Sequence, residues 1–218
     1  MSLLTKIITI SNKLTSSARL KVFSSYPKLN FENHQLEHLV SLKDRSELLK
    51  RLPKNAIIAE IGVYKGDFSE KILSICHPAK FILIDVWNLK GDHGELYDEV
   101  KQRFAKELQT KQVEMIRSFS YDAIHACPDQ YFDWVYLDTD HSYEVTRKEL
   151  EELRPKMKRG GIIAGHDYIL GNWNAGFRYG VIEAVREFCV KYNWEMIYLT
   201  HELDTHPSFA IRECNIVP

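Results

Sequence analysis

Five apolar segments follow one another along this chain, and each stops at side chains able to hold or change a small molecule. The first, 56–61, carries Glu60 and leads into Gly62 and Gly66. The second, Lys80–Asp85, stops at Asp85. Ser118, Ser120 and Tyr121 follow the third, Val113–Arg117. Asp138, Thr139, Asp140 and His141 close the fourth, 134–138, and Gly165, His166, Asp167 and Tyr168 close the fifth, 162–165. Glycine lets a chain turn sharply and lie against a bound molecule. An acid ending the second segment, about twenty residues beyond a glycine turn, is placed to take both hydroxyls of a ribose. The turn itself is not the GxGxxG of a pyrophosphate cradle. With Glu60 beside it, it would repel a pyrophosphate and suit a ligand carrying a positive amino-acid end. Each residue also has a plainer use: Asp85, Ser118 and Ser120 could cap turns or helices, and the glycines could serve a turn alone. Convergence at five successive segment ends favours a site.

Residues that meet this way need a frame that brings segment ends to one edge. The five segments are short and apolar and lack strict alternation, as expected of strands buried on both faces of a parallel sheet. Helical stretches alternate with them: 44–52 ahead of Pro53, Asp67–Cys76, a long charged 92–108, Ser120–Ala126, 143–157 and Val181–Tyr192. Two closing strands, 195–200 and 208–212, are joined by a short loop and predict an antiparallel hairpin at the sheet edge. The whole predicts an α/β fold, a doubly wound and mostly parallel sheet of seven strands. Residues 1–43 are expected to form a helical cap or dimer contact in two pieces broken near Pro27, ahead of the main domain 44–218.

The chain has 218 residues and a formal net charge of -1, enough for one domain with an appendage and without the basic tract that nucleic-acid binding needs. Its 4 cysteines form no CxxC pair, so neither a disulfide framework nor a structural zinc site is expected, and a reducing, cytoplasmic setting is. The apolar patch at Ile7, Ile8 and Ile10 is too short for a membrane span and precedes no small-residue cleavage site.

The ordered set Glu60-Ile-Gly62-Val-Tyr64-Lys-Gly66, Asp85, Ser120, Leu137-Asp138 and Gly160-Gly161-Ile-Ile-Ala-Gly-His166-Asp167-Tyr168 resembles the class I S-adenosylmethionine-dependent methyltransferases. The resemblance is nearest to small-molecule O-methyltransferases of the catechol and macrolide-sugar types, and it spans residues 45 to 213. It implies a Rossmann-like methyltransferase sheet with an antiparallel carboxyl-terminal hairpin, and S-adenosylmethionine as cofactor. Glu60 and the turn from Gly62 through Tyr64 to Gly66 would wrap the methionine and ribose. Asp85 would hold the ribose hydroxyls, Ser120 and Tyr121 would border the adenine, and Asp138 would face both cofactor and acceptor. Metal-dependent relatives hold magnesium where Asp138, His166 and Asp167 stand here. A histidine in that set departs from the pattern and argues for a softer ion such as manganese, iron or nickel, or for none.

The sulfonium methyl is already activated, so the remaining problem is the proton of the acceptor hydroxyl. A general base or a divalent ion can solve it. His141 stands where some relatives place a lysine base, and it titrates in a useful range; a capping role at the next helix is the plainer reading. Asp140 could orient it. His166 could instead bond the substrate or Asp138 in a metal-free site. His93, His201 and His206 are assigned no chemistry. The stretch 168–179, with its glycines, Trp173 and Phe177, reads as a substrate lid. The expected acceptor is a hydroxyl-bearing small molecule or sugar, with a homodimer as a plausible assembly. A nicotinamide-dependent oxidoreductase and an inactive nucleoside-binding protein are the competing readings. No Asn-Pro-Pro-Tyr segment of the N-methyltransferase kind stands after the fourth strand.

Overall fold

The computed structural model describes residues 25–87, 93–172, 177–202 and 206–214. Strands β1 (Val40–Leu42), β2 (Ile57–Ile61), β3 (Lys80–Asp85), β4 (Val113–Arg117), β5 (Phe132–Leu137), β6 (Met157–Gly165), β9 (Trp194–Thr200) and β10 (Phe209–Glu213) form one eight-stranded sheet, ordered β1-β9-β10-β6-β5-β2-β3-β4. Helices α1 (Arg45–Arg51), α2 (Asp67–Cys76), α3 (His93–Arg103), α4 (Ala105–Gln109), α5 (Ser120–Ala126), α6 (Tyr143–Lys156) and α7 (Val181–Tyr192) cover it. Strands β2 to β6 run parallel, and β10 runs antiparallel to both β6 and β9. From β2 the chain steps outward to β3 and β4, then returns to lay β5 on the other side of β2. That reversal opens a crevice beyond the carboxyl ends of β2 and β5.

Alternate residues of each central strand feed two cores, because successive side chains point to opposite faces. Ala59, Ile61, Ile82, Ile84, Val135, Leu137 and Ile163 pack with α5, α6 and α7. Ile58, Phe81, Leu83, Trp134, Tyr136 and Ala164 pack under α1 and α2. Burial on both faces is what removes the polar alternation from the sequence. Helix ends are set locally: Asp44 accepts the Glu47 amide at 2.9 Å to start α1. Pro155 sits in the last turn of α6, where the freed carbonyls of Pro155 and Lys156 accept Gln130 and Tyr131 amides.

Four expectations need correction. Residues 28–32 are not helical, and after a single 3-10 turn at Asn33–Leu36 the chain becomes β1, which pairs parallel with Tyr198–Thr200. The sheet therefore has eight strands, it begins before residue 44, and its edge is β1 rather than the hairpin β9-β10. The edge of β9 offers unpaired backbone groups, and a three-residue segment with two apolar side chains covers them. The apolar residues from Leu3 to Leu20 lie outside the described residues. The charged helix is two helices, broken at Phe104 (φ -102, ψ 21), whose ring turns into the core beneath Gly66; Asp92 lies outside the described residues. The stretch read as a loop lid contains a short ribbon, β7 (Gly171–Asn172) with β8 (Phe177–Arg178), while Trp173 and Gly176 lie outside the described residues. No helix among the described residues is long and apolar enough to cross a membrane.

Candidate active site

The crevice is a cleft of about 770 Å³, within the range of small-molecule sites. Glu60, Gly62, Tyr64, Asp85, Ser120, Tyr121, Asp138 and His141 all line it, together with Arg45, Trp87 and Glu149. The glycine turn is forced by contact. Gly62 has φ +90, and a Cβ there would stand 1.8 Å from the Asp138 carbonyl oxygen. The Asp138 amide donates to the Ile61 carbonyl at 2.8 Å, which clamps the tips of β2 and β5 together. Gly66 (φ +79) starts α2 and is not a wall of the cleft.

Asp85 does two things. Its Oδ2 accepts the Val63 and Tyr64 amides at 2.8 and 2.9 Å, and its Oδ1 accepts the Trp87 amide at 2.9 Å. It therefore caps the turn and has fewer lone pairs for a ribose than an open carboxylate. The Trp87 indole donates to the Tyr64 carbonyl at 3.0 Å and closes that corner. Glu60 is the buried floor. Its carboxyl accepts the Ser69 hydroxyl, and burial pushes it well above the usual carboxylate range, with Ser69 opposing and the Asp138 charge adding to the rise. It is not the open anion that the sequence suggested.

Behind the cleft wall formed by Asp138 and His141 lies a polar cluster whose other members, Asp167, His166 and His206, do not line the cleft. His141 Nε2 lies 3.3 Å from Asp138 and 2.7 Å from Asp167. His166 Nδ1 lies 3.7 Å from Asp138 and 3.5 Å from Asp167. His206 Nδ1 bonds the other oxygen of Asp167. Burial works against charge on the His141 ring, but its bonds to Asp138 and Asp167 together outweigh this and carry its pKa up to about 9. Burial likewise opposes ionisation of Asp167, and the His141 and His166 rings overcome it, holding the carboxyl well below the usual range. Among the described residues, ligand atoms of Asp138, His141 and Asp167 come within 4.8 Å of one another. His141, expected as a base, thus takes the place given to His166 in the expected trio; His166 stands beside it with its Nε2 buried and unbonded. Asp140 accepts the Ser142 amide at 3.2 Å and so shapes the turn rather than orienting His141. From the ribbon side, Gly180 donates to the His141 carbonyl at 2.8 Å and Tyr179 packs on the ring at 4.8 Å.

Three residues of the site escaped the sequence reading. His206 precedes β10 and sits in no motif. Glu149 is fully buried beside the cleft: Thr139 donates to its Oε2 at 2.8 Å while Oε1 has no partner. Burial raises its pKa to about 7 against the opposing Ser120 and Thr139 hydroxyls. An acid within the apolar stripe of α6, between Thr146 and Leu153, was the signal available. Arg45 likewise lies one turn before Leu48 and Leu49 on the inward face of α1.

A cradle that only glycine fits and an orphaned buried carboxyl oxygen suit a nucleoside cofactor. Two carboxylates with adjacent imidazoles suit a divalent transition ion better than magnesium. Comparison with known proteins agrees with the first point. The family described as methyltransferase domain matches residues 59–168. No curated protein matches the chain. Among solved structures, the chain is similar to the pyocyanin biosynthetic protein PhzM, with 13% identity, TM-score 0.59, 78% of this chain and 54% of that one covered. It is also similar to a SAM-dependent methyltransferase from Aquifex aeolicus, with 18% identity, TM-score 0.57, and 83% and 93% covered. A third is the B. subtilis tRNA methyltransferase TrmK, with 12% identity, TM-score 0.56, and 79% and 66% covered. The chain thus spans about half of PhzM and about two thirds of TrmK, and at these identities the likeness is one of fold.

Proposed function

We propose, from the premise that this chain belongs to the methyltransferase-domain family and is an S-adenosylmethionine-dependent methyltransferase, that its acceptor is a hydroxyl of a small molecule or sugar. The observation that carries the reading is the Asp138–His141–Asp167 cluster with His166 and His206 around it, built onto the cofactor cleft through Asp138 itself. S-adenosylmethionine, when bound, supplies a methyl group activated by its sulfonium. The protein's work is then alignment and handling of one proton. The Gly62 turn and Asp85 hold the ribose side, and Ser120, Tyr121 and Glu149 border the base. Asp138 and Asp167 orient His141 and draw an acceptor hydroxyl to the end of the cleft. A divalent ion held by Asp138, His141 and Asp167, with His166 adjacent, would lower that hydroxyl's pKa. Tyr179 and Gly180, which follow the ribbon, anchor on His141 and bring the ribbon to the acceptor side. Residues 1–43 are proposed as a cap or dimer contact that shares β1 with the main sheet.

The test is transfer of a labelled methyl group to a panel of sugars and phenols, with unmodified tRNA as a second arm, after chelation and again with manganese added. Transfer to hydroxyl compounds, restored by manganese and lost in Asp138→Asn, is the expected result. Transfer to RNA alone, or an Asp138→Asn variant with unaltered turnover, would reject the acceptor assignment.

A further inference from the structure

The cofactor's amino-acid end carries a carboxylate as well as an ammonium, and the cleft is poorly furnished for the former. Glu60, Asp67, Asp85, Asp138, Asp140 and Glu149 line it, whereas Arg45 and Lys65 are the lysine and arginine side chains among its described lining. Lys65 is exposed, with its ammonium 5.3 Å over the Tyr64 ring. Arg45 is different. Its guanidinium carbon lies 4.5 Å from the centroid of the Phe68 ring, a contact that holds the head group in place. Its side chain is 25% exposed, and its Nε faces Glu202 at a loose 4.0 Å. Its charge acts on Glu60 and on Tyr136, so it stands by the glycine turn and the β5 tip rather than by Ser118–Tyr121, where the base would lie.

We propose that Arg45 receives the α-carboxylate of the cofactor and makes the cleft select S-adenosyl amino acids over their decarboxylated forms. This rests on the cofactor reading given above. The physical grounds are that a planar, weakly hydrated guanidinium held on an aromatic face is pre-organised for two-pronged carboxylate binding. Without it, a carboxylate entering the cleft would meet the charges of Asp67, Asp85, Asp138 and Asp140 with only the exposed Lys65 to offset them. A merely structural arginine, tying α1 to Phe68 and Glu202, would not discriminate between ligands differing by one carboxylate.

The experiment is titration calorimetry of the full chain with S-adenosylhomocysteine and with decarboxylated S-adenosylhomocysteine, for wild type, Arg45→Gln and Arg45→Lys, with thermal melts confirming that each variant is folded. Wild type is expected to prefer the carboxylated ligand by about tenfold to a hundredfold, the effect of a hydrogen-bonded charge pair. Arg45→Gln should lose that preference while binding the decarboxylated ligand within about threefold of wild type, and Arg45→Lys should keep part of it. Equal wild-type affinity for the two ligands would overturn the assignment without any variant being needed. Equal weakening of both ligands in Arg45→Gln would also overturn it, since that is the mark of a structural role. Unchanged ligand binding with a raised acceptor KM would overturn it in favour of an anionic acceptor. If wild type bound neither ligand, the cofactor reading itself would fall, a result distinct from binding without discrimination.

Discussion

Two glycines with similar backbone angles should respond very differently to alanine. Gly62 has φ +90 and Gly160 has φ +73, so each alanine meets the cost of a positive φ, about 1–2 kcal/mol. At Gly160 nothing lies within 4 Å of the new Cβ, and the cost ends there. At Gly62 the Cβ would stand 1.8 Å from the Asp138 carbonyl oxygen and 2.6 Å from its carbon. Ordinary carbon contacts begin near 3.5 Å, so the β5 tip must retreat by more than about 1 Å. That movement strains the 2.8 Å bond from Asp138 N to the Ile61 carbonyl, and any recoil of the Gly62 turn strains its own 2.8 Å bond to the Ile84 carbonyl. With about 1 kcal/mol for each bond, Gly62→Ala should cost roughly 3–4 kcal/mol. The melting temperature should then fall by about 10 °C, against about 4 °C for Gly160→Ala. The larger effect is functional. Asp138 carries the cluster, and a displacement of about 1 Å at a reacting geometry costs on the order of a hundredfold in rate. Melting curves, S-adenosylhomocysteine titration and turnover of the two variants make the comparison. Equal melting losses with wild-type affinity in both would refute the claim that Gly62 sets the position of Asp138.

Other consequences are as direct. Glu149 holds its proton to about pH 7 in the fold, whereas an unfolded glutamate releases it near 4.5. The folded chain therefore binds more protons across that window, and the stability present below about pH 4.5 declines as pH rises through about 7, by about 3 kcal/mol from this group. Glu149→Gln should flatten that decline in denaturant titrations between about pH 5 and 8; an unchanged slope would discard the account. Asp85→Asn should weaken S-adenosylhomocysteine binding by about tenfold or more and also lower the melting temperature, because the carboxylate serves three backbone amides and, on the proposed reading, a ribose. A ligand-binding loss with no change in melting would show that the turn does not depend on it.

The strands were legible because burial on both faces leaves continuous apolar runs, and their carboxyl ends were legible because chemistry collects there. β5 begins earlier than its apolar run suggests. Asp133 hides its start, and that acid is paired, accepting the Ile57 amide at 2.7 Å and Lys158 at 2.8 Å. His206 was missed for a topological reason. β10 runs antiparallel, with Phe209 opposite Gly165, so it enters the sheet at the edge where β6 leaves. Residues before that strand therefore join residues after the parallel strands. Glu202, by contrast, follows the carboxyl end of β9, which runs parallel to β1, and accepts the backbone amide of Arg45 at 3.1 Å. Reading carboxyl ends alone cannot find His206. Only the last part of the amino-terminal expectation, residues 28–42, is overturned, and the reason is non-local: β1 is set by the open edge of a strand more than a hundred residues away.

Backbone strain separates the reactive end of the cleft from an ordinary strand edge. His141 has φ 66 and Asp167 has φ 57, and neither is glycine. Such conformations cost about 1–3 kcal/mol each and persist where the surroundings over-determine them. Here the two strained residues face each other at 2.7 Å, and a third group holds each of them: the Gly180 amide on the His141 carbonyl, and His206 on Asp167. Relaxing either residue would move its side chain away from Asp138, whose own position is set by Gly62 across the β2–β5 boundary. The tips of β2 and β5, clamped by the Asp138 amide on the Ile61 carbonyl, thereby hold the cleft floor and the Asp138–His141–Asp167 cluster at a fixed separation. On the proposed reading, in-line transfer depends on that separation, and direct contact between two neighbouring strands sets it.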